Sequence, residues 1–158
     1  MSSVEPDRLE DWRYVVLATW LGHAMIALGA IWWVGSDGAL SQGTRYMLLG
    51  RLVGYYAPQI ALLYACLFIA GSKKSSAAKK RLDPKRVYFA VGIVVVSHSM
   101  TLLWFLSDLW VGWSRLRLGV LPADNETIEA TVNHYIAISG LVFSAFAAAP
   151  LKFLFPRN

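Results

Sequence analysis

The sequence predicts an all-α membrane protein, with four transmembrane helices in an up-down bundle that forms a single domain over residues 1–158. Three observations lead to this prediction. The chain is 56% hydrophobic, it divides into four long apolar segments, and one short basic segment separates the second from the third. A water-soluble bundle needs one apolar face on each helix, whereas these segments are apolar almost all round. A soluble four-helix bundle is therefore the less favoured alternative.

Each apolar segment can cross a hydrocarbon core of about 30 Å, because an α-helix rises about 1.5 Å per residue. Glycine and serine residues on either side of Leu40 indicate a tight turn after the first span. Asp83 followed by Pro84 is typical of a helix start and precedes the third span. The spans are expected at about residues 13–34, 46–70, 87–113 and 131–155.

A basic loop at residues 71–86 predicts the orientation. Its charged side chains are Lys73, Lys74, Lys79, Lys80, Arg81, Lys85 and Arg86. Cytoplasmic loops are enriched in Lys and Arg, so this loop and, by alternation, both termini are expected on the cytoplasmic side. That arrangement places eleven of the fifteen basic residues inside and three in the outer loops. We expect a bacterial cytoplasmic (inner) membrane, and no cleavable signal peptide because the chain starts acidic.

Composition and motifs exclude several classes of function. The net charge of +5 is explained by the cytoplasmic loop, so nucleic acid is not an expected partner. Cys66 is the single cysteine, which excludes an internal disulfide and a multi-cysteine metal site. No phosphate-binding glycine loop, nucleophile elbow or HExxH motif occurs. Asp108 is the one carboxylate expected within the spans, so an enzyme acting alone is not expected.

Three polar residues are expected in one layer near the outer ends of the spans: Arg51, Asp108 and His134. Ionisable groups inside a membrane are costly and usually face protein or water. The sequence therefore predicts a buried polar cluster in which Arg51 pairs with Asp108 and His134 lies nearby. The cluster is interpreted as structural, or as Arg51 reaching the interface, and the functional alternative is a proton site at His134.

A second polar layer is expected near the membrane midplane, with His23, Gln59 and His98 on spans one, two and three. Tyr55 and Arg51 share a helix face with Gln59 because they repeat every four residues. In an up-down bundle spans one and three are expected on opposite corners, so His23 and His98 could hold a b-type haem between them. The plainer alternative is that both histidines hydrogen-bond to Gln59 or to backbone.

Three functional hypotheses remain. The first is a non-catalytic membrane subunit or oligomerising component without a cofactor, suggested by small residues at helix-packing spacing such as Gly50 and Gly54. Its partners are the bilayer, other copies or a larger membrane complex, with anionic lipid or an acidic protein at the basic loop. The second is a redox subunit that binds haem. The third is an ion or proton path along Arg51, Tyr55, Gln59, Asp108, His98 and His23.

Overall fold

The computed structural model describes the backbone of residues 6–38, 40–72, 84–119 and 125–148, and the side chains of residues 14–38, 40–65, 89–119 and 126–145. Over these ranges the protein is all-helical and contains no strand, so the predicted all-α class is confirmed. The helices are α1 (Pro6–Ser36), α2 (Gln42–Ser72), α3 (Pro84–Arg117) and α4 (Asn125–Ala148). All four helices begin before the predicted spans, α1 by seven residues and α4 by six. The loop cations Lys73, Lys74, Lys79, Lys80 and Arg81 lie outside the described residues, as do the side chains of Lys85 and Arg86.

Capping residues define the helix ends at the end of the bundle where α1 ends, α2 begins and α3 ends. The Thr44 backbone N–H donates a hydrogen bond of 3.1 Å to the Ser41 hydroxyl, which satisfies a free donor in the first turn of α2. Gly38 follows α1 with a φ of +78°, and Gly119 follows α3 with a φ of +66°. Both conformations lie in the left-handed region, where glycine carries no steric penalty. We call this end of the bundle the turn end.

Two antiparallel hairpins, α1–α2 and α3–α4, pack side by side. Helix α1 contacts α3, and helix α2 contacts α4. Helices α1 and α3 are parallel, since His23 lies beside His98 and Asp37 beside Arg117. Because both hairpins are antiparallel, α2 and α4 are parallel as well. The opposite corners of the bundle are therefore α1 and α4, and α2 and α3. The expectation that spans one and three lie on opposite corners was wrong, because the second hairpin docks with α3 rather than α4 against α1.

Tryptophan side chains join α1 to α3 at the turn end. The ring of Trp33 stacks on that of Trp110, with 5.9 Å between centroids, and lies 4.8 Å from that of Trp113. The Arg117 guanidinium sits over Trp113 and is 3.2 Å from a carboxylate oxygen of Asp37. These contacts hold the ends of two parallel helices together.

Two helical segments are long and apolar enough to cross a membrane, Tyr14–Ser36 and Phe89–Arg117. In each, 33% of the most apolar stretch is buried inside the protein, so the rest of that stretch is at least partly exposed. Two such segments are weak evidence for membrane association, and among the described residues the other two predicted spans do not meet the same criterion.

Candidate functional site

A cluster of aromatic and polar side chains occupies the middle of the bundle. The Trp20 indole N–H on α1 donates a hydrogen bond of 2.7 Å to the Gln59 side-chain oxygen on α2. The same indole stacks on His98 of α3, with 4.0 Å between ring centroids and 2° between planes. Trp20 and His98 are fully buried and Gln59 is nearly so. One side chain therefore connects three helices.

His23 and His98 lie next to each other in this cluster, with 4.7 Å between ring centroids. The His23 Nε2 is 3.3 Å from the Ser99 hydroxyl. Within the described part of the chain, the His23 Nδ1 and both ring nitrogens of His98 have no hydrogen-bond partner. A neutral imidazole has one donor and one acceptor nitrogen, so these unpartnered nitrogens are available to bind a polar group.

Tyrosine hydroxyls extend the cluster towards α4. The hydroxyls of Tyr56 and Tyr135 form a hydrogen bond between α2 and α4, and both rings are buried. Phe105 of α3 stacks on Tyr135, with 4.4 Å between ring centroids. The hydroxyls of Tyr55 and Ser139 are also buried. All four helices thus contribute polar atoms to the interior.

The polar layer nearer the turn end differs from the prediction. Arg51 lies 3.5 Å from a Glu129 carboxylate oxygen and donates a hydrogen bond of 3.1 Å to the Asn133 side-chain oxygen. Asp108 instead accepts a hydrogen bond of 2.8 Å from the Thr131 hydroxyl. The predicted Arg51–Asp108 ion pair is therefore not formed.

The physical reason is the helix arrangement. Arg51 and Asp108 reach the same level of the bundle, since their partners lie within about one turn of α4. They contact different faces of α4, however, because α2 and α3 are on opposite corners and α4 lies between them. His134 is exposed on α4. The three residues predicted as one buried cluster thus form two separate contacts and one exposed position.

The described conformation does not fit a haem held by His23 and His98. A macrocycle bound by both imidazoles must lie between them. Here the two rings contact each other directly, on neighbouring helices, and one face of His98 is covered by Trp20. The sequence predicts that these two histidines lie at one depth. In the structure their rings lie too close together to leave room for a macrocycle.

The predicted path of polar groups is also interrupted. Along the core face of α3, the fully buried Phe105 lies between Asp108 and His98. The Gln59 side-chain oxygen is engaged by Trp20 rather than by a histidine. A continuous chain of hydrogen bonds from Arg51 to His23 is therefore not formed by the described side chains.

Sequence reasoning missed several residues that organise these layers. Trp20 lies three residues before His23 and so shares its helix face, a signal that could have placed it in the same cluster as His23. Glu129 and Asn133 are four residues apart on α4 and present two acceptors to one neighbouring side chain. Tyr135 has no such signal, because an aromatic residue in an apolar segment is typical of any core.

No protein-family model matches this chain, and neither does any curated protein or any solved structure.

Proposed function

We propose that this protein is a four-span membrane component that associates with a second copy of itself through the outward surface between α2 and α4. The observation that supports this proposal is the Arg51–Glu129 ion pair. Its two side chains stay 37% and 30% exposed on a bundle whose outward surface is mostly apolar.

The depth of this pair makes its exposure costly in a bilayer. Arg51 follows Tyr46, an exposed aromatic residue of the kind found at membrane interfaces, by five residues. Five residues of α-helix place Arg51 about 7.5 Å further from the interface than Tyr46. A charged side chain at the centre of a membrane helix costs about 2.5–3.5 kcal/mol in insertion measurements, and less towards the ends. Covering the pair with protein offsets that cost.

A second copy is the occupant that the charges favour. The surface carries a cation and an anion side by side, so two copies related by a twofold axis present opposite charges to each other. Gly50 and Gly54 on the outward side of α2 add no bulk, and a Cβ atom at either would meet nothing within 4 Å. Small residues of this kind allow two helix backbones to approach closely.

Disulfide trapping in native membranes tests this surface. In a Cys66→Ser background, we expect Gly54→Cys to give covalent dimers under mild oxidation. Gly92→Cys is the matched control, because Gly92 is also an exposed and open helical glycine but lies on α3. Equal trapping at both positions, or a monomer in every mild detergent, would contradict the proposal.

The four-span topology and its orientation need a separate test. Reporter fusions at Ser76 and Ala123 report the loop after α2 and the loop after α3. We expect Ser76 on the cytoplasmic side of a bacterial inner membrane and Ala123 on the opposite side. The reverse labelling would overturn the orientation. The basic loop is proposed to contact anionic lipid or an acidic partner.

A second candidate function is proton transfer through the interior, favoured by the ring nitrogens of the adjacent residues His23 and His98 that have no partner among the described residues. Proton flux into liposomes tests it. His98→Phe keeps an aromatic ring against Trp20 but removes both ring nitrogens, so a lower flux in a folded variant supports the candidate. Trp104→Phe, on the exposed side of α3, is the control. Unchanged flux with His98→Phe rejects it.

A further inference from the structure

We infer that Arg45 binds the phosphate of a phospholipid head group at the turn end, where α1 meets α2. The inference rests on the membrane location proposed above, but it concerns a different surface from the α2–α4 one. The proposed ligand is a phosphodiester carried by a lipid. The alternative ligand is free inorganic phosphate, and the experiment below distinguishes the two.

Two aromatic rings hold the guanidinium of Arg45. Its central carbon lies 4.7 Å from the ring centroid of Trp32 and 5.4 Å from that of Tyr46. Both rings are about half exposed, at 52% and 53%. Cation–π contacts position the guanidinium and leave its in-plane N–H groups available as donors. Exposed Trp and Tyr side chains are typical of the membrane–water interface, where lipid phosphates lie.

The stem of Arg45 is fixed against the backbone of α1. A Cβ atom at Gly35 would lie 2.8 Å from the Arg45 Cγ and closer still to its Cδ. Gly35 is buried, so this close approach depends on the absence of a side chain there. The Arg45 Nε is buried and has no hydrogen-bond partner among the described residues. The arginine is therefore held in place before any ligand binds.

Two other arginines near the turn end have carboxylate partners, whereas Arg45 has none among the described residues. Arg51 pairs with Glu129, and Arg117 pairs with Asp37. Arg45 forms no ion pair within the described part of the chain. A guanidinium is suited to binding phosphate because its donors match two phosphate oxygens at once. A lipid also brings acyl chains that can pack on the exposed rings of Trp32 and Tyr46.

Lipid titration of the delipidated full-length protein, followed by native mass spectrometry, tests the site. Phosphatidylglycerol is the probe, and diacylglycerol with the same acyl chains is the control without phosphate. We expect one phosphatidylglycerol to bind at least about tenfold more tightly than diacylglycerol, a difference of about 1.4 kcal/mol. Arg45→Gln should remove that preference. Arg45→Lys should keep part of it, since a lysine retains the charge without the two-pronged geometry.

Gly35→Ala supplies an independent test that leaves Arg45 in the sequence. It should weaken phosphatidylglycerol binding as Arg45→Gln does, because the added methyl group displaces the arginine stem. Gly29→Ala is the matched control on α1, where a Cβ atom meets nothing within 4 Å. Helix content by circular dichroism is measured for every variant, and if Gly35→Ala does not fold, the two Arg45 variants decide the outcome.

Two results would overturn the inference. One is an equal preference for phosphatidylglycerol in the wild type and in folded Arg45→Gln. The other is displacement of the bound lipid by millimolar inorganic phosphate, which would make a soluble phosphate the ligand. Failure of the disulfide trapping at Gly54→Cys leaves this result unaffected, so the two proposals fail separately. Labelling of both Ser76 and Ala123 from the outer side would contradict the four-span topology on which both proposals rest.

Discussion

The indole of Trp20 lies flat against the imidazole of His98, with 4.0 Å between ring centroids, while its N–H group donates a hydrogen bond to Gln59. A single side chain of α1 is thus bound to both α2 and α3 in the buried interior. Its ring fills space between the helices and its one polar atom is satisfied, which is the condition for burying a tryptophan without penalty. We expect Trp20 to contribute strongly to the alignment of the helices.

Trp20→Phe should destabilise the folded bundle by about 1–3 kcal/mol, because the Gln59 oxygen loses its donor while remaining buried. The free energy of unfolding in mild detergent, measured by denaturant titration, checks this. Trp104→Phe is the control, since Trp104 is 42% exposed on α3. The Trp20→Phe, Gln59→Leu double variant should be less destabilised than the sum of the two single variants. Strict additivity would contradict the buried hydrogen bond.

Tyr56 and Tyr135 should show energetic coupling across α2 and α4. Tyr56→Phe or Tyr135→Phe alone leaves one buried hydroxyl without its partner, whereas the double variant removes both. A double-mutant cycle of unfolding free energies should therefore give a coupling of about 0.5–1.5 kcal/mol. Tyr46→Phe is the control, because Tyr46 is 53% exposed. A coupling below the experimental error would show that the two hydroxyls do not interact.

Arg51 should be coupled to Glu129 and not to Asp108. A cycle built from Arg51→Gln and Glu129→Gln should give about 0.2–1 kcal/mol, the range of partly exposed ion pairs. The matching cycle with Asp108→Asn should give a value near zero, since α4 separates the two helices. A larger coupling energy with Asp108 than with Glu129 would contradict the observed contacts and support the Arg51–Asp108 pair that the sequence predicts. Measurement at two salt concentrations checks that the coupling is electrostatic.

Purified protein from cells supplied with ample haem should show no Soret band that depends on the histidines. The expectation follows from the direct contact between the rings of His23 and His98, which leaves no space for a macrocycle. Absorbance spectra of the wild type and of His23→Ala measure it. A Soret band in the wild type that disappears in His23→Ala would show that the helices separate to admit haem, and would favour the redox hypothesis.

Much of the fold follows from the sequence because it depends on local properties. Runs of apolar residues predict the helices, and Asp83–Pro84 places the start of α3 at Pro84, as observed. The depth of a residue along a helix is also local, since each residue advances the helix by a constant rise. His23 and His98 lie at one level of the bundle for this reason, and so do Arg51 and Asp108.

The lateral arrangement of the helices was decided by the tertiary structure alone. Two hairpins can dock with α3 or with α4 against α1, and both choices satisfy the same apolar pattern along each helix. The observed choice makes His23 and His98 direct neighbours and separates Arg51 from Asp108. The sequence by itself determined that this chain forms four helices and which polar residues lie at each depth. Which of those residues touch was determined by the packing of whole helices, because that choice depends on side-chain shape summed over the entire interface.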